Sequence, residues 1–261
     1  MSEDIPADSA PPDPLDTVPQ IDLRIPGPWA TQRDFMDAVE RANTGYEFGE
    51  GGLVHSKTGR RFLLGASEHD DEIAELFAGA GRLSAQQVKT IASHKVKVHV
   101  SGPGGSVKAA KAVMDAATAI VKAGGFGVFV DNSGNAHGRE DWLALAGDKD
   151  LGGVYWAYVS ATAGKAEAWS VGMHCLGYRD AEVFGIADRQ AAGFLLHNFL
   201  GYSYQSGNMI IDGDPLGSEF GVLFRARAHP FTRVPPGTAF HNPYGVWRLE
   251  PVEQEMPGAD N

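Results

Sequence analysis

The stretch from Lys95 to Asp131 constrains the fold more than any other part of the chain. Val96, Val98 and Val100 alternate with Lys95, Lys97 and His99, the period-two pattern of a strand with one buried face and one wet face. Ser106 then stands as an N-cap ahead of Val107, Ala110, Met114, Ala117 and Val121, which recur at helical spacing. Lys108, Lys111, Asp115, Thr118 and Lys122 fall on the opposite side. Gly124 and Gly125 end that helix. Phe126 to Val130 follows as an uninterrupted apolar run, as suits a strand covered on both faces. Residues 95 to 131 therefore predict a βαβ unit with a right-handed crossover.

Weaker signals extend this unit in both directions. Ile21 to Ile25 alternates like a half-buried strand, and Thr31 with Asp34 caps a helix whose apolar side carries Phe35, Met36 and Val39. Leu53 to His55 and Arg61 to Leu64 flank Thr58-Gly59 and predict a hairpin. Helical signals return at Asp70 to Phe77, and the Ser84/Gln87 spacing is that of a capping box opening a helix through Ile91. Further on, Gly153 to Ala161 and Ala168 to Met173 are rich in Val, Trp and Tyr and predict a second hairpin around Thr162 to Lys165. Ile186 to Leu200 reads as a helix. Asp212-Gly213-Asp214-Pro215 reads as a turn between strands at Met209 to Ile211 and Phe220 to Ala226. The order strand, helix, hairpin, helix, strand occurs twice. The expected class is α+β, a two-layer α/β sandwich of two ferredoxin-like halves with mixed sheets. Their ranges are 19–94 and 95–249, between tails at 1–18 and 250–261.

The tails account for most of the charge. The chain of 261 residues has a net charge of −11, and nine of its acidic residues lie in the two tails with no Lys or Arg among them. The section between them is close to neutral, which argues against general nucleic-acid binding. The tails themselves are expected to be solvated and disordered. A single cysteine, Cys175, excludes an intrachain disulfide framework and a multi-cysteine zinc site. The N-terminal residues lack the basic start and apolar run of a signal peptide, and no apolar stretch approaches the roughly 20 residues of a membrane span. A cytoplasmic, non-membrane protein is the expectation.

Two polar loops are the candidate ligand site. Ser101-Gly102-Pro103-Gly104-Gly105-Ser106 lies between a strand and a helix N-terminus, where exposed amides and the helix dipole can hold an anion. It matches neither a Walker loop nor G-x-G-x-x-G, and a tight capped turn that needs glycine for its backbone is the favoured explanation. Asp131-Asn132-Ser133-Gly134-Asn135-Ala136-His137 begins where the next strand ends. If the two strands are parallel, Ser101, Gly102, Gly104, Gly105 and Ser106 share an edge with Asp131, Asn132 and His137, with Asp131 or His137 as base or ligand. Histidines form no metal-binding motif, Cys175 reads as a core thiol, and neither a catalytic residue, a metal nor a cofactor is implied. Aromatic residues near the end, including Tyr244 and Trp247, mark a surface suited to docking a protein partner.

The segment Trp169-Ser170-Val171-Gly172-Met173-His174-Cys175-Leu176-Gly177-Tyr178-Arg179-Asp180-Ala181-Glu182-Val183 resembles the bacterial domain-of-unknown-function family 4261. Its Gly-Met, its later Gly, and its acidic residue before Glu-Val carry the likeness, which extends over roughly residues 50 to 225. The resemblance implies a bacterial source and no particular activity. Within the segment, Gly172 and Gly177 suggest bulges or close backbone approach, and Asp180 with Glu182 would alternate on a solvated strand face or pair around a cation. The expected function is a non-enzymatic interaction module in bacterial stress, competition or immunity. The alternatives are a binder of, or enzyme for, a small anionic ligand at the two loops, and an assembly subunit that forms homo-oligomers.

Overall fold

A computed structural model describes residues 18–150, 152–206, 210–213, 215–217 and 224–252. The expected acidic tails therefore fall almost wholly outside the described residues, as do Met209 and the first part of the strand expected at Phe220 to Ala226. The fold is α+β, with two sheets.

The first sheet contains seven strands: β1 (Gln20–Gly27), β2 (Tyr46–Gly49), β3 (Gly52–His55), β4 (Arg61–Glu68), β5 (Val96–Pro103), β6 (Gly127–Val130) and β7 (Asn135–Gly138). Their order is β2-β3-β4-β5-β1-β6-β7, and every pair is antiparallel. Strands β5 and β6 are thus parallel to each other, as the βαβ reading requires, but β1 lies between them. The sheet takes strands from both sides of residue 94, so a division there would cut through it.

The helices of this part are α1 (Gln32–Ala42), α2 (Asp71–Gly79), α3 (Ala85–Ala92) and α4 (Val107–Lys122). The caps act as the residue types predict: Asp34 N–H donates to Thr31 Oγ1 at 3.1 Å, Ser84 and Gln87 close a capping box, and Ala109 N–H donates to Ser106 Oγ at 3.2 Å. Helix α4 lays Val113, Met114, Ala117 and Ile120 on a sheet face made by Ile21, Leu23, Ile25, Val98, Val100 and Val128, all buried. Each of the Val, Leu, Ile and Met side chains contributes roughly 1.5–3 kcal/mol by leaving water. On the opposite face, α2 and α3 pack through a small cluster of Ile73, Phe77, Ile91 and Phe129, and the start of α2 reaches the edge of β5. Lys97, expected on a wet face, is consequently buried and pairs with Asp70.

The second sheet is mixed. Its strands are β8 (Ser160–Ala163), β9 (Glu167–Val171), β10 (Asp180–Phe184), β11 (Pro215–Leu216), β12 (Phe224–His229) and β13 (Val246–Pro251), ordered β11-β12-β13-β10-β9-β8. Among the described strands, β10 and β13 pair in parallel and the other pairs are antiparallel. The two sheets differ in strand number, order and pairing, so they are not two copies of a ferredoxin-like unit. The hairpin expected at Gly153 to Met173 is present but shorter: β8 pairs with β9, whereas its expected first half begins as a helix, α6 (Gly152–Tyr158), after α5 (Arg139–Ala146). All of Val154-Tyr155-Trp156-Ala157-Tyr158 but Trp156 is buried, and a short run with no polar residue carries no periodicity to separate strand from helix. Helix α7 (Arg189–Ser206) packs on β8, β9 and β10, and one continuous apolar core joins both sheets.

Candidate functional site

Because β1 runs antiparallel between β5 and β6, the C-terminal ends of those two strands flank the N-terminal end of β1. Asp22 pairs with Ser101 on one side, and its carbonyl accepts from the Asp131 N–H at 3.0 Å on the other. Asp22 and Arg24 lie on the sheet face opposite α4, since Ile21, Leu23 and Ile25 take the inner positions. Ser101 Oγ donates to the Asp22 carboxylate. Arg24 forms an ion pair with Asp131 at 2.8 Å. Burial raises the Asp131 carboxyl against the pull of that guanidinium, and burial together with the charges of Lys97 and Arg24 lowers the His99 imidazole.

Asn132 ties this edge to the second sheet. Its Oδ1 accepts from the Asp22 N–H at 2.9 Å, and its Nδ2 donates to Gln20 O at 2.9 Å and to Ala239 O at 3.2 Å while meeting His174 Nε2 at 3.3 Å. His174 sits in a 3-10 turn, Met173–Leu176, bounded by Gly172 and Gly177 with φ of 104° and 88°. A Cβ on Gly177 would stand 2.5 Å from the Gly105 carbonyl oxygen, and one on Gly172 would stand 2.0 Å from that of Tyr158. Both positions therefore combine a left-handed backbone with close approach of another chain segment.

A cavity of about 460 Å³ opens here, lined by Asp22, Asn132, His174, Thr238 and His241, with Val18 and Pro19 at its rim. His174 and His241 each have a buried Nδ1 without a hydrogen-bond partner among the described residues. Burial holds the His174 imidazole down at about 4, so it is neutral near pH 7. The walls are pinned by Asp180, which is fully buried. Its carboxylate accepts from Ser170 Oγ at 2.8 Å, from Asn242 Nδ2 at 2.6 Å and from the Met173 N–H at 3.3 Å. One side chain thus holds both the turn bearing His174 and the loop bearing His241. Burial raises the Asp180 carboxyl to about 6 despite these donors.

The sequence-predicted residues divide between this edge and other places. Ser101, Asp131 and Asn132 converge around Asp22. Gly102 faces Val113 and Phe62 in the core, Gly104 donates its N–H to Pro19 O at 2.7 Å, and Gly105 backs onto Gly177. Ser106 caps α4. These uses leave the loop as a packed turn. His137 lies elsewhere, on β7, where its Nε2 is 3.1 Å from Ala157 O and burial lowers its imidazole to about 4. Tyr244 is half-buried beside Gly105, and Trp247 is half-buried beneath the Arg179 guanidinium at 5.2 Å. Asp180 and Glu182 are both buried rather than solvated. Glu182 accepts from Arg248 at 2.8 Å and from Arg233 at 3.1 Å, and Arg233 lies 4.3 Å over Trp169. Cys175 is buried in the core, and burial pushes its thiol up.

Asp22, Arg24, His174 and His241 were not singled out from sequence. Asp22 and Arg24 had a signal, as the polar positions of an alternating strand. His174 stood between two glycines, Gly172 and Gly177. Among the described residues, no three His, Cys, Asp or Glu side chains gather in a way that could hold a metal, and no helix is long and apolar enough to cross a membrane. Comparison with family models, curated proteins and solved structures found no match.

Proposed function

We propose that this chain is a binding protein for a small polar molecule, held in the cavity between the N-terminal end of β1, the Asn132 turn, the His174 turn and the loop at 237–243. The observation that carries this reading is the convergence of Asp22, Asn132, His174 and His241 on one cavity, the two imidazoles each with a buried Nδ1 that has no hydrogen-bond partner among the described residues. An unmet buried polar atom costs roughly 1–3 kcal/mol, and a bound polar molecule that reached the two rings, directly or through water, would recover part of that. The Asp22 carboxylate and the carbonyls of Gln20 and Ala239 favour a neutral or amine-bearing ligand. An anion is less well supported, because the Gly104 N–H is already taken by Pro19 O.

Native mass spectrometry of the protein gently isolated from its host tests this. A small adduct retained by the wild type and lost in Asp22→Asn and His174→Gln is the expected result. An adduct indifferent to both substitutions would remove the cavity from consideration.

An interaction module with a protein partner, or a self-associating subunit, is the second reading, and a different surface favours it. Trp156 and Phe194 are 45% and 67% exposed and border a groove between α6 and α7. Large aromatic groups exposed in this way are typical anchors of protein interfaces. In the same mass measurement, a stoichiometric protein companion or a second copy, released by Trp156→Ala, would support this reading over the first.

A further inference from the structure

A separate groove of about 590 Å³ lies between the β2–β3–β4 hairpins and the first turns of α4. Its floor is apolar: Phe62, Val107 and Ala112, with the ring of Tyr46 set edge-on to His55 at 4.9 Å. Its rim presents donors. His55 Nδ1 lies 2.9 Å from Thr58 Oγ1 and 3.2 Å from the Thr58 backbone nitrogen, contacts that hold the ring in place. Tyr46 keeps its hydroxyl proton, because burial and the nearby Asp115 charge push that group up to about 12. Arg60 and Lys108, both exposed, form no ion pair among the described residues, whereas Asp115, the one carboxylate at the rim, is already paired with Lys111.

An apolar floor beneath unpaired cations and neutral donors is complementary to one kind of molecule. We infer that this groove binds an amphipathic acid, a compact hydrophobic body bearing a single carboxylate. The body lies on Phe62, Val107 and Ala112, and the carboxylate meets Arg60 and Lys108 at the rim. The volume accommodates a body of about ten carbons. This site shares no residue with the Asp22 cavity, and the two stand or fall separately.

Calorimetric titration of the full chain with 4-phenylbutyrate and with 4-phenylbutanol, identical in body and differing in charge, tests the inference. The acid is expected to bind at least tenfold more tightly than the alcohol. An Arg60→Gln/Lys108→Gln double variant should abolish that difference without changing the affinity for the alcohol, and Ala112→Phe should block both. Asp22→Asn should leave all of these affinities unchanged. Failure of the acid to bind, equal binding of acid and alcohol, or insensitivity to the double variant would each overturn the proposal. Should Ala112→Phe fail to fold, Lys108→Glu on the exposed helix face provides the same discrimination by reversing the preference for the acid.

Discussion

Helix α4 and the wall of the polar cavity are both buried, but different forces hold them. The helix rests on the first sheet through Val113, Met114, Ala117 and Ile120, contacts that are non-directional and indifferent to pH. The wall, made of the His174 turn and the loop with His241, depends on the Asp180 carboxylate and its three donors, and on the Asn132 amide. An apolar stripe tolerates small shifts, whereas a polar tie is lost with one proton or one misplaced donor. The cavity is therefore the part of the molecule whose geometry responds to pH and to single polar substitutions.

The comparison is broken most severely by Ile120→Ala, which removes a fully buried side chain from α4. A loss of about 2–5 kcal/mol is expected in urea unfolding, equal at every pH, with cavity binding by the folded fraction unchanged. A pH-dependent loss would show that α4 and the wall are not separate.

Two titrations sharpen the contrast, with opposite signs in one pH window. The Asp180 carboxyl is raised to about 6 in the fold, so its contribution to stability is full below the ordinary aspartate range and is lost as pH rises through 6. Asp180→Asn should accordingly gain on the wild type by on the order of 3 kcal/mol between pH 4 and 7. The His174 imidazole is lowered to about 4, so its contribution is present above the ordinary histidine value and lost as pH falls through 4. His174→Gln should gain on the wild type by a similar amount, on the order of 3 kcal/mol, as pH falls from 7 to 4. Parallel stability curves for either variant and the wild type would refute the corresponding tie.

The smallest effect is expected from Ser106→Ala, which removes the cap of α4. About 1 kcal/mol should be lost in thermal unfolding, with no change at the cavity. A larger loss accompanied by weakened ligand retention would mean that the Ser101 to Ser106 loop supports the site rather than only the helix.

Much of the first sheet was legible because its signals are local. The alternation at Lys95 to Val100, the stripe of α4 and the Thr31, Ser84 and Ser106 caps are decided by neighbours within a few residues, and each appears in the structure where the residues indicate. The aromatic run at Val154 to Tyr158 was not legible, because a short run in which every residue is apolar or aromatic carries no polar–apolar period. Of the residues expected to share one edge, Ser101, Asp131 and Asn132 lie together around Asp22. His137 was expected beside them, but β7 turns back and directs it to Ala157. Asp22, which lies between the two loops, escaped notice because nothing in the sequence places β1 between β5 and β6.

Periodicity and capping act over one or two turns of chain, and they suffice for the α+β class and for the βαβ segment with its capped helix. Which residues share the cavity is set by long-range packing. Asp22, Asn132, His174 and His241 come from four distant segments, and their meeting depends on strand order and on the Asp180 tie. These are choices among long-range pairings of similar local propensity, and the packed whole selects between them.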